Sequence, residues 1–175
     1  MVSDGTYIYG VHYNWAGVAG GISRMKLDGS DYVKFSEVNG VKNLTIRDDK
    51  LYFIHCATGQ DNGNIEWIAL ENIQNDSEKL ESMNLSSKIK NVKQFIFDDH
   101  NIFYIYNGVI DNSIKRTDFT SLKEGTAIAS SKTNPNEMIL KGNDIYYYSY
   151  AVTALSSAGF YKVNKNATAD KTQEL

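Results

Sequence analysis

The 175-residue chain holds one cysteine and one proline, and its Lys and Arg number 18 against 21 Asp and Glu. The single cysteine, Cys56, excludes an internal disulfide and any metal site assembled from several cysteines. Lying in the strand-like run Leu51 to Cys56, it reads as a small buried hydrophobe and not as a reactive thiol. The net charge of -3 lacks the positive excess that phosphate neutralisation requires, so nucleic acid is not expected as a partner. No run approaches the roughly 18 consecutive apolar residues of a membrane span. Met1-Val2-Ser3-Asp4-Gly5 is not a basic segment followed by an apolar one, so an export signal, if the protein is exported, is expected outside these residues.

What is present is apolar and aromatic material: 42% hydrophobic and 12% aromatic residues, enough for a core and inconsistent with disorder. This material recurs with a period. The segments Tyr7-Ile8-Tyr9, Leu51-Tyr52-Phe53, Ile102-Phe103-Tyr104 and Ile145-Tyr146-Tyr147 place the anchors Ile8, Leu51, Ile102 and Ile145 at separations of 43, 51 and 43 residues. A second set, Ile22, Ile65, Ile114 and Phe160, follows them by 14, 14, 12 and 15 residues. Alternating apolar pairs (Leu44/Ile46, Phe95/Phe97, Met138/Leu140) precede the later three anchors and predict a strand with one apolar face. Asp48-Asp49, Asp98-Asp99-His100 and Gly142-Asn143 separate these pairs from the anchors and are hairpin-turn residues. Fourth strands are expected at Tyr32 to Glu37, Lys79 to Met83, Ala127 to Ser130 and near Gln173 to Leu175. Asp28-Gly29, between Ile22 to Leu27 and Tyr32 to Phe35, is the strongest short-range hairpin signal. The polar stretch Glu71 to Lys90 reads as a decorated loop and final strand with room for one helical turn.

Four antiparallel strands every 43 to 51 residues predict an all-β fold of β-propeller blades, because such units cover their apolar faces only by stacking on neighbours. The expected organisation is a single domain over 1–175 with blades at 1–38, 39–84, 85–130 and 131–175. Four blades are the minimum that closes, so the chain is either a four-bladed propeller or a fragment of a larger one. In a fragment the exposed blade ends would invite pairing with another copy.

Ile22-Ser23-Arg24-Met25-Lys26-Leu27-Asp28-Gly29-Ser30 resembles the I-x-R-x-x-L-D-G-S segment of YWTD-type propellers of the low-density lipoprotein receptor family. Together with the D-x-x-I/L-Y-Y/F anchor it is still more similar to bacterial propellers of the domain-of-unknown-function class DUF5050. Only the first copy carries the full Asp-Gly-Ser form, and none carries the Tyr-Trp-Thr-Asp tetrad. The resemblance implies a propeller fold and a secreted or cell-surface location, and it brings no active site.

Chemistry-bearing patterns are sparse. His12 and His55 stand four residues after Ile8 and Leu51, but no carboxylates accompany them at ligand spacing, so a structural or rim role is expected. The turn aspartates lack the Asp-x-Asp-x-Asp-Gly arrangement of a calcium loop and read as backbone caps. No catalytic residue, metal site or cofactor is assigned. The connections between second and third strands carry the aromatic residues that recognition surfaces use, and the candidate ligand-binding set is His12, Tyr13, Asn14, Trp15, His55 and Tyr106. Tyr146-Tyr147-Tyr148 reads mostly as strand packing, and Trp67 as a packing or rim residue. The expected function is a non-catalytic module that presents this loop face to a protein or carbohydrate ligand. The alternatives are a propeller hydrolase or lyase with its site at the central channel, and a structural scaffold.

Overall fold

A computed structural model describes residues 1–13, 19–35, 40–57, 59–75, 82–109, 112–129, 134–150, 158–168 and 172–175. The described chain is all-β and antiparallel, with one short helix. It divides into two compact modules, Met1–Ser87 and Lys88–Leu175. Each contains two four-stranded meanders.

In the N-terminal module the first meander is β1 (Val2–Ser3), β2 (Tyr7–Tyr13), β3 (Ala19–Lys26) and β4 (Val33–Phe35), and the second is β5 (Val41–Arg47), β6 (Lys50–Cys56), β7 (Gly63–Ala69) and β8 (Met83–Asn84). Helix α1 (Leu70–Gln74) follows β7. In the C-terminal module they are β9 (Val92–Phe97), β10 (Asn101–Asn107), β11 (Asn112–Asp118) and β12 (Thr126–Ala129), then β13 (Pro135–Lys141), β14 (Asp144–Ser149), β15 (Gly159–Asn164) and β16 (Gln173–Glu174). The only proline opens β13, a place where its missing N–H costs the ladder least. Val2–Ser3 pairs with Ile8 and Tyr9, so the first meander does have its first strand, in a segment that by sequence looks too short for one.

The near-constant offsets in the sequence are a register. Val11 pairs with Ile22, Ile54 with Ile65, Ile105 with Ile114 and Tyr148 with Phe160, so in all four meanders the second anchor lies opposite the residue three beyond the first. Side chains alternate across each strand, which makes the choice of face follow from that register. One face of the first meander (Tyr9, Ile22, Phe35) packs on Val41, Leu51, Phe53 and Ile68 of the second. Phe103, Ile105, Ile114 and Ile128 likewise pack on Met138, Ile145, Tyr147 and Val163. Each fully buried aliphatic or aromatic side chain contributes roughly 1.5–3 kcal/mol.

The Asp28-Gly29 turn differs from its sequence signal. Gly29 takes a positive φ of 84° but Asp28 does not, so Asp28-Gly29 does not form a two-residue hairpin. The Gly29 amide bonds the Lys26 carbonyl at 2.9 Å, the Lys26 amide bonds Ser30 O at 2.8 Å, and Asp28 Oδ1 accepts from the Ser30 amide and hydroxyl. Two-residue hairpins form where the other turn residues predict them, at Asp48-Asp49, with φ of 48° and 56° between paired Arg47 and Lys50, and at Gly142-Asn143 between paired Lys141 and Asp144. Aspartate tolerates that left-handed backbone by hydrogen-bonding locally. The segment after β7 holds the helical turn that its sequence allows. Leu70 and Ile73, three apart on one side of α1, are buried in the N-terminal core, and that burial holds a helix too short to persist alone.

The same pair of polar contacts joins the two meanders in each module. Arg24 on β3 is 1% exposed, and its Nη1 donates to the carbonyls of Ile73 and Gln74 at 2.6 and 2.7 Å, which satisfies the open C-terminal end of α1. Arg116 on β11 donates to Lys165 O at 2.7 Å, again 49 residues downstream. Asp4 receives the amides of Thr6 and Tyr7, the Tyr9 hydroxyl and the Gln74 side-chain amide. Asp98, four residues before Ile102 as Asp4 is before Ile8, receives the amides of His100 and Asn101 and an ion pair from Lys165 at 2.9 Å.

Burial opposes ionisation of Asp98, but the His100 amide, the Lys165 ammonium and Asn101 outweigh it and pull the carboxyl down to about 2. A depressed carboxyl contributes stability that is complete above its unfolded value near 3.8 and is lost as pH falls through its folded one. The Asp98→Asn variant is therefore expected to unfold more easily than the parent at pH 7, by on the order of 1–2 kcal/mol. Urea titrations should show that gap closing between about pH 4 and pH 2; a gap independent of pH would contradict this role.

Candidate functional site

The six sequence-predicted residues do not converge on one site. Asn14 and Trp15 lie outside the described residues. His12 is half-buried on β2, and its Nε2 accepts the Gly21 amide at 3.2 Å. Gly20 makes this approach feasible, because a Cβ there would stand 2.7 Å from the imidazole. His12 thus has a structural role, accepting a main-chain amide with one ring nitrogen while its Nδ1 is buried and unpartnered among the described residues. Tyr13, the next residue, is 63% exposed.

His55 sits on β6 with Nδ1 3.0 Å from Glu66 Oε1, and Ser82 donates its hydroxyl to the other oxygen of Glu66. These are the residue types of a nucleophilic triad in the wrong order, with the carboxylate between serine and histidine. The serine proton goes to the carboxylate, so the imidazole does not activate the hydroxyl. Among the described residues no three His, Cys, Asp or Glu side chains are grouped as metal ligands. Burial pushes the Cys56 thiol up, away from the thiolate that nucleophilic chemistry needs. Tyr106 is half-buried, and the Lys115 ammonium stands 3.9 Å from its ring centre, covering one face. Trp67 is half-buried with the Lys50 ammonium 4.3 Å from its ring centre, in keeping with a rim position.

A surface of adjoining aromatic side chains lies on the last meander, where the sequence pattern suggests packing. Strands β6 and β10 are buried on both faces, at Leu51 to Ile54 and Ile102 to Ile105. Strand β14 alternates: Ile145, Tyr147 and Ser149 are buried, while Tyr146 and Tyr148 stand half-exposed. Tyr147 stacks on Tyr161 at 5.6 Å inside the core. Only the middle tyrosine of Tyr146-Tyr147-Tyr148 is therefore core packing. On the open face Tyr148 lies opposite Glu137 and Phe160, and Tyr146 opposite Ile139 and Lys162. The Tyr148 ring contacts Phe160 at 5.2 Å and Tyr150 edge-on at 5.1 Å. Ile139 and Phe160 are each 64% exposed and Tyr150 51%.

A groove of about 250 Å³ runs along this face between Gln94, Glu137, Ile139, Tyr146, Tyr148 and Phe160. Gln94 is part of its frame: its side-chain amide donates to Met138 O at 3.0 Å and accepts from Met138 N at 2.7 Å, pairing with β13 as a neighbouring strand would. The groove is therefore walled by fixed rings on a hydrogen-bonded sheet. The sequence signal for it was the run of apolar residues on both faces of β14 and β15, which strict alternation of apolar and polar residues would not produce. No protein-family model and no curated protein matches the chain.

Replacing Phe160 with Ala should change stability by less than about 0.5 kcal/mol, as expected for an exposed side chain, whereas Tyr147→Ala should cost about 3 kcal/mol or more. Urea midpoints of the two variants test this; equal losses would mean that the two faces have been assigned wrongly.

Proposed function

We propose that this chain is a non-catalytic interaction module of the β-propeller kind, similar to the YWTD-type and DUF5050-class repeats that its first meander resembles. Its ligand is a protein or a glycan met by aromatic side chains at the end of the sheets where second strands pass to third. The observation that carries this reading is the exposure of Tyr13 and Tyr150, each five residues after its anchor isoleucine, at the ends of hydrogen-bonded strands. An aromatic ring held by a ladder buries a large area on contact while losing little side-chain entropy. The four successive meanders, with matching register between their second and third strands, support the propeller part of the reading. A secreted or surface location belongs to the same proposal and rests on the resemblance alone.

The hydrolase or lyase alternative has the His55–Glu66 pair as its geometric support, and the hydroxyl beside it is committed to the carboxylate. Binding to an immobilised glycan panel and to surface-protein extracts, followed by purification of whatever is retained, tests the module reading. Tyr13→Ala in the N-terminal module and Tyr150→Ala in the C-terminal module are tested separately, and at least one is expected to weaken the retained interaction at least tenfold while leaving the melting temperature unchanged. A ligand insensitive to both substitutions, or turnover of a glycan without stable binding, would refute it.

A further inference from the structure

The opposite end of the C-terminal module, where β9 turns into β10 and β11 passes to β12, holds a polar cleft of about 480 Å³. Arg116 and Lys123 supply its positive charge, and Asn101, Thr117, Thr126 and Asn166 its neutral hydrogen-bonding groups. Ser121, Asp118 and Glu124 complete the lining, so no aliphatic or aromatic side chain faces it.

The N-terminal module shows what fills the corresponding place when it is closed. There Arg24 lies under the Tyr7 ring, 4.7 Å from its centre, and faces Asp31 Oδ2 at 3.4 Å. Tyr7 immediately precedes the anchor Ile8; the residue preceding Ile102 is Asn101, which is far smaller and leaves the guanidinium uncovered. Asp31 stands two residues before Val33, the residue opposite Arg24. Glu124 stands two residues before Thr126, the residue opposite Arg116, but its carboxylate pairs with Lys115 at 3.0 Å. Arg116 thus keeps its bond to Lys165 O and has no carboxylate partner among the described residues. Two local changes, a missing ring and a diverted acid, open a cleft over a half-buried guanidinium.

We propose that this cleft binds a hydroxylated monocarboxylate, an acidic sugar of the hexuronate type. Arg116 and Lys123 take the carboxylate; a guanidinium fork without a carboxylate partner among the described residues matches its two oxygens. Thr126, Asn101 and Asn166 surround the ring hydroxyls, while the buried Thr117 hydroxyl holds the Lys123 carbonyl at the cleft wall. Asp118 already accepts from the Thr120 amide and hydroxyl and from the Ser121 amide, which hold its carboxyl below the ordinary range. With Glu124 it adds negative charge at the rim, which disfavours a dianion such as phosphate while offering acceptors to sugar hydroxyls. The all-polar lining disfavours an apolar acid. This site is separate from the aromatic surfaces and stands or falls independently of them.

Calorimetry and amide chemical-shift mapping on the full chain test it, with sodium glucuronate as the probe and glucose, acetate and inorganic phosphate as comparators. Glucuronate is expected to bind saturably with Kd of about 1 mM or tighter, at least tenfold more tightly than each comparator, and to shift the amides around Arg116, Lys123 and Asn166. Asn101→Tyr, which copies Tyr7 over the guanidinium and also removes the Asn101 Nδ2 bond to Asp98, and Lys123→Glu, on an exposed side chain, should each weaken binding at least tenfold, the second without altering the melting temperature. No saturable binding, equal binding of acetate or phosphate, shifts confined to another surface, or folded variants with unchanged affinity would each overturn the proposal.

Discussion

Each module depends on an arginine on the third strand of one meander reaching main-chain carbonyls just beyond the third strand of the next. A four-stranded meander buries one apolar face at a time, and two such faces attract each other without direction. The guanidinium fixes which pairing is made: Arg24 bonds Ile73 and Gln74 only if the two meanders are correctly aligned, and Arg116 bonds Lys165 under the same condition. An aspartate at the adjoining hairpin repeats the constraint, since Asp4 meets Gln74 and Asp98 meets Lys165. A buried guanidinium without acceptors would destabilise the fold, so these contacts penalise misalignment as well as rewarding alignment.

The architecture was legible in the sequence to the extent that it is local. The four anchors and their offsets translate directly into strand pairing, because register within a hairpin depends on residues a few positions apart. Arg24 and Arg116 were visible as residues, but their role was not, since their acceptors lie about 50 residues away and are backbone atoms, which no side-chain pattern reports. The helix after β7 was visible only as a possible single turn, because its stability comes from burial of Leu70 and Ile73 and from Arg24 at its end rather than from its own composition. Asp28-Gly29 misled in detail: the pair permits a two-residue turn without requiring it, and hydrogen bonds from Ser30 to Asp28 favour the longer connection.

The candidate site was less legible for a different reason. His12 and His55 drew notice as residue types, yet each is committed to a neighbour, Gly21 or Glu66. Tyr146 and Tyr148 looked like core because tyrosines flank a core tyrosine, and only the absence of a covering sheet on their face among the described residues distinguishes them. Whether an aromatic strand face is core or surface depends on what packs against it, information that lies in the tertiary arrangement and not in the strand. The contrast between Arg24 and Arg116 carries the same lesson. One arginine position is a closed structural joint under Tyr7 and an open cleft beside Asn101.

The most direct test of the arginine joint is native-state amide hydrogen exchange on an Arg24→Gln variant. If the joint aligns and couples the meanders, amides of β2–β3 and of β6–β7 should lose protection together, by a common amount of about 2 kcal/mol. Loss confined to the amides next to residue 24, or no loss at all, would show that apolar packing alone holds the two sheets in place.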